Sequence, residues 1–137
     1  MRTKLTLLLI LPILVLASCG RLDVTLPRGF AIIYGVADYA HVNDLLFSDN
    51  DAEDLYALLT NPGQGFAPED VILRVNSEAT KDQLNADFSD IAQRIAAHPN
   101  PELTRFVFYF AGHGYGDGRG TFPEPWDSCF TDPQYSS

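Results

Sequence analysis

A histidine between two glycines is the feature of this sequence best suited to acid–base chemistry. His113 lies between Gly112 and Gly114, directly after the apolar run Phe106–Ala111. Imidazole has the side-chain pKa nearest to neutral pH, which suits general-base work, and the flanking glycines leave room for a substrate backbone. On position alone, a loop histidine with only local hydrogen bonds is an equally good interpretation.

Asp51 is a second candidate, and it also has two interpretations. It falls in the first turn of a predicted helix, where a carboxylate stabilises the helix dipole without any further role. The same position is open to a cationic ligand. The residue types alone leave the two roles equally good.

The spacing of the other polar residues excludes several kinds of site. The glycine-rich stretch after His113 has Asp117 or Arg119 where a dinucleotide-binding loop needs its third glycine. The acidic run from Asp49 begins like a calcium loop, but Asp54 occupies the position that requires glycine. The three histidines are scattered without the spacing of zinc ligands. We therefore expect no metal and no cofactor.

Composition indicates one small domain with a true core. Of the 137 residues, 46% are hydrophobic and 12% aromatic, and the mean hydropathy is −0.03, which excludes a disordered acidic tail and a multi-span membrane protein. The formal charge is −9, and without Arg2 and Lys4 of the predicted leader it is 7 − 18 = −11. Such a charge disfavours nucleic acid as a partner and favours a cationic peptide.

The N-terminal segment is typical of an exported protein. A short basic start precedes the apolar run Leu5–Leu16, which is shorter than the roughly 20 residues of a membrane-spanning helix. Residues 1–18 are therefore interpreted as a signal peptide. The segment Leu16-Ala17-Ser18-Cys19 resembles the lipobox of bacterial lipoproteins, which implies cleavage before Cys19 and acylation of that residue.

The lipobox also implies a location. An acylated Cys19 would anchor the protein at a membrane surface of the bacterial cell envelope, and Gly20 in place of aspartate points to the outer membrane. Residues 19–29, which contain proline and glycine, are interpreted as a tether. With Cys19 acylated, Cys129 has no disulfide partner and is expected to be a free thiol.

Alternating apolar runs predict the elements that position His113. Strands are predicted at residues 30–36, 71–75 and 106–111, and the first and third are apolar on both faces, as expected of buried strands. Helices are predicted at 51–59 and after the capping residue Thr80, the second with an apolar stripe formed by Leu84, Phe88, Ile91 and Ile95. This order predicts right-handed crossovers and a parallel sheet covered by helices. Ligands of such sheets bind at the carboxyl ends of the strands, where His113 lies.

These segments together resemble a known family. The stretches Ala31–Tyr39, Asn50–Leu55 and Phe108–Gly114 look like the first half of a caspase-like cysteine peptidase, of the bacterial metacaspase type. The resemblance covers residues 28–122. It implies a three-layer α/β fold with a mostly parallel sheet between helices, and residues 30–137 would form a partial peptidase domain that is incomplete at its C-terminus.

The resemblance also implies an activity and roles for individual residues. The reaction would be hydrolysis of peptide bonds in a protein or peptide substrate by a Cys–His dyad. His113 matches the histidine that activates the thiol and protonates the leaving amine, and Gly114 matches the glycine whose N–H helps to hold the oxyanion. Asp51 matches the acidic residue that lines the S1 pocket of metacaspases, which implies cleavage after arginine or lysine.

The nucleophile departs from the family pattern. Asp127-Ser128-Cys129 mimics the family's Asp-x-Cys motif, but Cys129 lies only 129 − 113 = 16 residues after the histidine. A crossover helix alone needs about 10–12 residues, and a return strand adds several more. We therefore favour a truncated peptidase whose nucleophile is missing. The alternatives are an inactive pseudo-peptidase that binds peptides, and a short active chain in which Cys129 attacks.

Overall fold

The computed structural model describes residues 27–116 and 120–128. The predicted signal peptide and lipobox lie outside these residues, and so do both cysteines. The strands are β1 (Gly29–Gly35), β2 (Phe66–Val75), β3 (Arg105–Ala111), β4 (Gly114–Gly116) and β5 (Thr121–Pro123). The helices are α1 (Ser48–Leu59) and α2 (Lys81–Ala96), and short 3-10 turns occupy Asn76–Glu78 and Pro101–Leu103.

A three-stranded parallel sheet forms the centre of the molecule. Its order is β2-β1-β3, so the first strand lies in the middle and pairs with both others. Every residue of β1 is buried, which explains why Phe30–Val36 has no polar side chain other than the Tyr34 hydroxyl. The parallel sheet predicted from the order of apolar runs is confirmed.

The two helices cover opposite faces of this sheet. Alternate β1 side chains, such as Ile32 and Tyr34, share a core with Ile91 of α2, while Ala31 and Ile33 share another with Ala52 of α1. The α/β layering expected from the sequence is therefore present. No helix in the described part of the chain is long and apolar enough to cross a membrane.

Gly35 allows α1 to approach the end of β1 closely. A Cβ built at this position would lie 2.6 Å from the Ala52 Cβ and would also collide with the Ser48 carbonyl oxygen. Since real Cβ atoms do not tolerate such contacts with backbone, only glycine fits. The short distance brings the start of α1 to the carboxyl edge of the sheet.

The predicted burial of β3 on both faces is wrong. Phe106 and Phe108 are 44% and 39% exposed, because β3 lies at the edge of the described sheet. Phe88 of α2 contacts both rings, with centroids 6.0 and 5.1 Å apart, but it is itself 38% exposed. A run of apolar residues therefore identified the strand correctly but did not reveal its position in the sheet.

Two predicted boundaries were also wrong. Helix α1 begins at Ser48 rather than at residue 51, and β2 begins at Phe66 rather than at residue 71. The first residues of β2 were not predicted as strand, because they contain Pro68 and a proline argues against a strand. The strand accommodates this proline through a register shift opposite Gly29 and Ala31. The predicted N-cap is confirmed, since the Thr80 hydroxyl accepts the Gln83 N–H at 3.2 Å.

A buried carboxylate on α2 ties the helix to the sheet. Asp87 is 3% exposed, and it accepts hydrogen bonds from the Tyr34 hydroxyl at 2.7 Å and from two nitrogens of Arg74 at 2.9 and 3.0 Å. Gln83 donates a further bond at 2.8 Å. Burial alone would raise the pKa of Asp87, but the bonds from Arg74, Tyr34 and Gln83 lower it overall. The group is therefore a satisfied carboxylate that links three elements.

Replacement of Asp87 by asparagine is expected to destabilise the fold. The change leaves Arg74 without its counter-ion, and because Arg74 is partly solvated we expect a loss of about 2–3 kcal/mol in urea unfolding, below the range for fully buried pairs. Asp90→Asn on the same helix removes only an exposed pair with Arg94 and should cost about 0.3–0.5 kcal/mol. Equal losses for the two variants would contradict this role.

The stabilisation by Asp87 should also depend on pH. A carboxylate with a lowered pKa in the folded state stabilises the fold above its unfolded value of about 3.9, and this contribution is lost as the pH falls through the folded value. The difference in the free energy of unfolding between the wild type and Asp87→Asn should thus be constant near neutral pH and shrink below about pH 4. A difference that grows on acidification would contradict the assignment.

Candidate active site

The candidate site lies at the carboxyl edge of the sheet. Strands β1 and β3 end side by side at Gly35 and Ala111, and the Val36 N–H extends their pairing by donating to the Ala111 carbonyl at 2.9 Å. His113 follows β3 by two residues, and the loop between β1 and α1 starts beside it. The structure therefore places His113 where the sequence predicted.

The His113 ring is oriented by a backbone carbonyl of that loop. Its Nε2 lies 2.8 Å from the carbonyl oxygen of Asn43. Because a carbonyl oxygen can only accept, Nε2 must carry the hydrogen, and the neutral ring then has its lone pair on Nδ1. In the part of the chain that the structure describes, Nδ1 has no hydrogen-bond partner. It is thus the atom that can take a proton from a neighbouring group.

The Tyr39 hydroxyl holds the backbone of His113. It accepts the His113 N–H at 2.7 Å and donates to the Glu124 carbonyl at 3.2 Å, while the rings of Tyr39 and His113 lie 5.0 Å apart. Burial raises the pKa of Tyr39, and the nearby Glu124 charge raises it further against the effect of the His113 N–H. The hydroxyl therefore stays protonated and able to donate.

Gly112 is needed to let Tyr39 reach this position. A Cβ at residue 112 would lie 2.5 Å from the Tyr39 hydroxyl oxygen and 2.8 Å from the Phe110 ring. The glycine before the histidine is thus explained by the tyrosine behind it. The space for a substrate that we expected from this glycine is therefore occupied in part by the Tyr39 hydroxyl.

A short hairpin continues the chain after His113. Strands β4 and β5 pair antiparallel, with Gly114 opposite Pro123, and the Glu124 N–H donates to the His113 carbonyl at 2.9 Å. Antiparallel pairs alternate between bonded and non-bonded positions, so the bonded pair formed by His113 and Glu124 makes the next pair a non-bonded one. The Gly114 N–H consequently points away from β5, and Pro123 has no N–H to offer in return.

Asn76 fixes the loop that carries Tyr39 and Asn43. Its side-chain oxygen accepts the N–H groups of Ala37 and Asp38 at 2.9 and 3.0 Å, and its amide donates to Asp49 at 3.2 Å. Asn76 has φ of 48°, a left-handed conformation that asparagine tolerates better than most residues. This residue therefore joins the end of β2 to the loop after β1.

Asp51 is placed near this edge but not in contact with the histidine. It is an exposed residue in the first turn of α1, and its carboxylate has no hydrogen bond or ion pair with the described residues. A cationic ligand would meet no competing partner there. The structure places His113 and Gly114 together at this edge. Cys19 and Cys129 lie outside the described residues, so neither thiol is located relative to His113.

Four site residues were missed by sequence analysis: Tyr39, Asn43, Asn76 and Glu124. Tyr39 lies four residues after the end of the buried strand β1, and this position at the ligand-binding edge was an available signal. Asn43 acts through its carbonyl, which any residue supplies, so its side chain gave no indication. Glu124 appeared as one charge among prolines.

Comparison with known proteins identifies the family of this chain. A scan against protein-family models matched the caspase domain over residues 28–132. The match spans more than half of the chain, and the chain therefore belongs to the caspase domain family, whose members are cysteine peptidases with protein or peptide substrates. A search of curated proteins found no match.

Replacement of Tyr39 by phenylalanine is expected to loosen His113. The change leaves the His113 N–H and the Glu124 carbonyl without their partner, which should cost about 1–3 kcal/mol in urea unfolding. Exchange of the His113 amide hydrogen should accelerate more than the global loss of stability explains. Tyr109→Phe is the matched control, because its hydroxyl has no hydrogen bond among residues 27–116 and 120–128. Unchanged exchange at His113 in Tyr39→Phe would contradict the role.

Proposed function

We propose that this chain carries the histidine half of a Cys–His dyad that hydrolyses peptide bonds after arginine or lysine. The observation that supports this most directly is the contact between His113 Nε2 and the Asn43 carbonyl, at 2.8 Å. It leaves Nδ1 with a lone pair at the edge of the sheet where substrates of this fold class bind. A ring fixed in this way is prepared to accept a thiol proton.

The proposed reaction uses the two nitrogens differently. Nδ1 of His113 takes the proton from the cysteine sulfur, and the thiolate attacks the carbonyl carbon of the substrate. The Asn43 carbonyl continues to accept from Nε2 while the ring is an imidazolium. The ring then gives its proton to the leaving amine nitrogen, and water hydrolyses the acyl-enzyme with the same histidine as base.

The outward N–H of Gly114 supports the proposed oxyanion contact. The carbonyl oxygen of the substrate gains negative charge when the thiolate attacks, and a fixed N–H donor lowers the energy of that state more than that of the ground state. Gly114 is exposed, and its partner strand does not use this N–H. Because the backbone already holds this N–H in position, no free energy is needed to reorient the donor during the reaction.

Asp51 supports the proposed preference for a basic residue. Its carboxylate is exposed and unpaired in the described part of the chain, at the start of a helix that begins at the carboxyl edge of the sheet. The formal charge of −9 would also concentrate cationic peptides around the domain. We therefore propose that Asp51 binds the arginine or lysine side chain of the substrate.

The nucleophile is proposed to lie on a further strand of the domain, not at Cys129. Between His113 and Cys129, the described residues form the β4–β5 hairpin and a turn at Trp126 and Asp127, and contain no crossover helix. The next parallel strand of an α/β sheet requires such a crossover. Cys129 as an unconventional nucleophile is the alternative within the same activity.

A peptide-binding pseudo-peptidase is the second candidate function. It is favoured by one observation, namely that Cys129 follows His113 by only 16 residues, which is too few for a crossover helix and a return strand. In this case Asp51 would hold a basic side chain and no bond would be cleaved. The same site would serve both functions, and they differ only in the thiol.

We also propose that the protein is exported and anchored to the bacterial cell envelope through Cys19. The proposal depends on the basic start, the apolar run and the lipobox-like segment that ends at this cysteine. The mass of the protein isolated from membranes, with or without lipid on an N-terminal Cys19, tests it. An unprocessed N-terminus would contradict it.

Binding of an arginyl peptide tests the proposed role of Asp51. A peptide with one arginine should bind roughly fivefold more tightly than the same peptide with neutral citrulline, because an exposed ion pair is worth about 1 kcal/mol at most. Asp51→Asn should remove this preference, whereas Glu53→Gln, an exposed carboxylate on the same helix, should retain it. Equal affinity of both peptides for the wild-type chain would contradict the pocket.

Mass spectrometry after treatment with an arginyl chloromethyl ketone locates the thiol. We expect no adduct on Cys129 beyond that formed by a simple alkylating agent. An adduct that requires both arginine in the reagent and His113 in the chain would instead establish Cys129 as the nucleophile.

A further inference from the structure

Glu124 is a buried carboxyl group with one unsatisfied oxygen. The residue is 5% exposed, and its Oε1 finds no hydrogen-bond partner among the described residues. Buried polar groups are almost always satisfied, so an exception needs a physical reason. Asp87, a buried carboxylate of the same domain, by contrast accepts hydrogen bonds from Tyr34, Arg74 and Gln83.

The backbone of Glu124 is attached to His113 on both sides. Its N–H donates to the His113 carbonyl at 2.9 Å, and its carbonyl accepts the Tyr39 hydroxyl, which in turn accepts the His113 N–H. The backbone of Glu124 therefore cannot move independently of the histidine. Burial raises the pKa of Glu124, and a positive charge on His113 lowers it again.

We propose that Glu124 is a positioning residue whose carboxylate stabilises the protonated ring of His113. The catalytic meaning rests on the proposed function, because the ring becomes protonated when it takes the thiol proton. The electrostatic link itself does not depend on a thiol. A buried charge acts through a medium of low dielectric constant, where it is screened less than a surface charge.

Among the charged and titratable groups around Glu124, His113 is the cation that we propose to interact with its carboxylate. Tyr39 faces it from the loop after β1, and Lys81 of α2 and Tyr115 of β4 line the same cavity of about 560 Å³. Lys81 is exposed and has no ion pair with Glu124 in the described part of the chain. Asp127, three residues further on, accepts the Lys81 N–H at 3.0 Å and caps α2.

The coupling has a defined sign. Proton binding to His113 favours proton loss from Glu124, and by linkage the ionised Glu124 favours the protonated His113 to the same extent. At low pH, Glu124 is neutral and the histidine lacks this support. As the pH rises through the raised pKa of Glu124, the carboxylate forms and the thiolate–imidazolium pair of the proposed dyad gains stability.

Carbon-13 NMR of the Glu124 carboxyl in the full chain tests the proposal. In the wild type, its titration midpoint should lie above the ordinary glutamate value of about 4.3. His113→Asn should raise the midpoint further, by roughly 0.3–1 pH unit, because the opposing positive charge is gone. His98→Asn is the matched control, since His98 contacts Asn100 at the opposite edge of the sheet, and it should change nothing.

A second readout covers the case in which His113→Asn fails to fold. The ring proton signals of His113 in the wild type should show an inflection at the Glu124 midpoint, and the isosteric Glu124→Gln variant should lose it. An ordinary glutamate midpoint, or an inflection that survives in Glu124→Gln, would overturn the proposal. Neither readout needs a thiol or a substrate, so a failure of the proposed peptidase activity is distinguishable from a failure of this coupling.

Discussion

The contact between the His113 ring and the Asn43 carbonyl is the constraint on which the site depends. A carbonyl cannot donate, so a single contact fixes both the orientation of the ring and the position of its lone pair. The contact forms only if the loop after β1, which carries Asn43, and the segment after β3, which carries His113, are both held in position. Asn76 secures the first by bonding Ala37 and Asp38, and the Tyr39 hydroxyl secures the second.

Two buried carboxylates show how the same group serves stability and function differently. Asp87 is surrounded by donors, its pKa is lowered, and it connects α2 with β1 and β2. Glu124 has an unpartnered oxygen, and burial raises its pKa beside the histidine. A satisfied carboxylate fixes the scaffold, whereas an unsatisfied one responds to a charge that appears near it. This contrast is why, of these two carboxylates, only Glu124 is proposed to act on His113.

Sequence reasoning was most successful where burial is complete. The run Phe30–Val36 identified the central strand because a strand covered on both faces must be apolar throughout, and it led to the confirmed parallel order. It misjudged β3, whose Phe106 and Phe108 are equally apolar but lie at an edge of the described sheet. The apolar composition of a strand indicates that it tends to be buried. Whether other elements cover both of its faces depends on the tertiary structure.

The candidate site was predictable only in part, for a related reason. His113 and Gly114 were found because side-chain type and position at a strand end both point to chemistry. Asn43 contributes a backbone carbonyl, so its side chain carries no signal. The Glu124–His113 pairing depends on the register of the β4–β5 hairpin, which the glycines and prolines of that stretch did not reveal.

Nitrogen-15 NMR of the His113 ring is a direct test of the contact between Nε2 and the Asn43 carbonyl. Near pH 8, where an ordinary histidine is neutral, the shifts of the two ring nitrogens distinguish the protonated from the unprotonated one. We expect a single form with the hydrogen on Nε2 and the lone pair on Nδ1. A ring with its hydrogen on Nδ1, or one that exchanges freely between both forms, would contradict it.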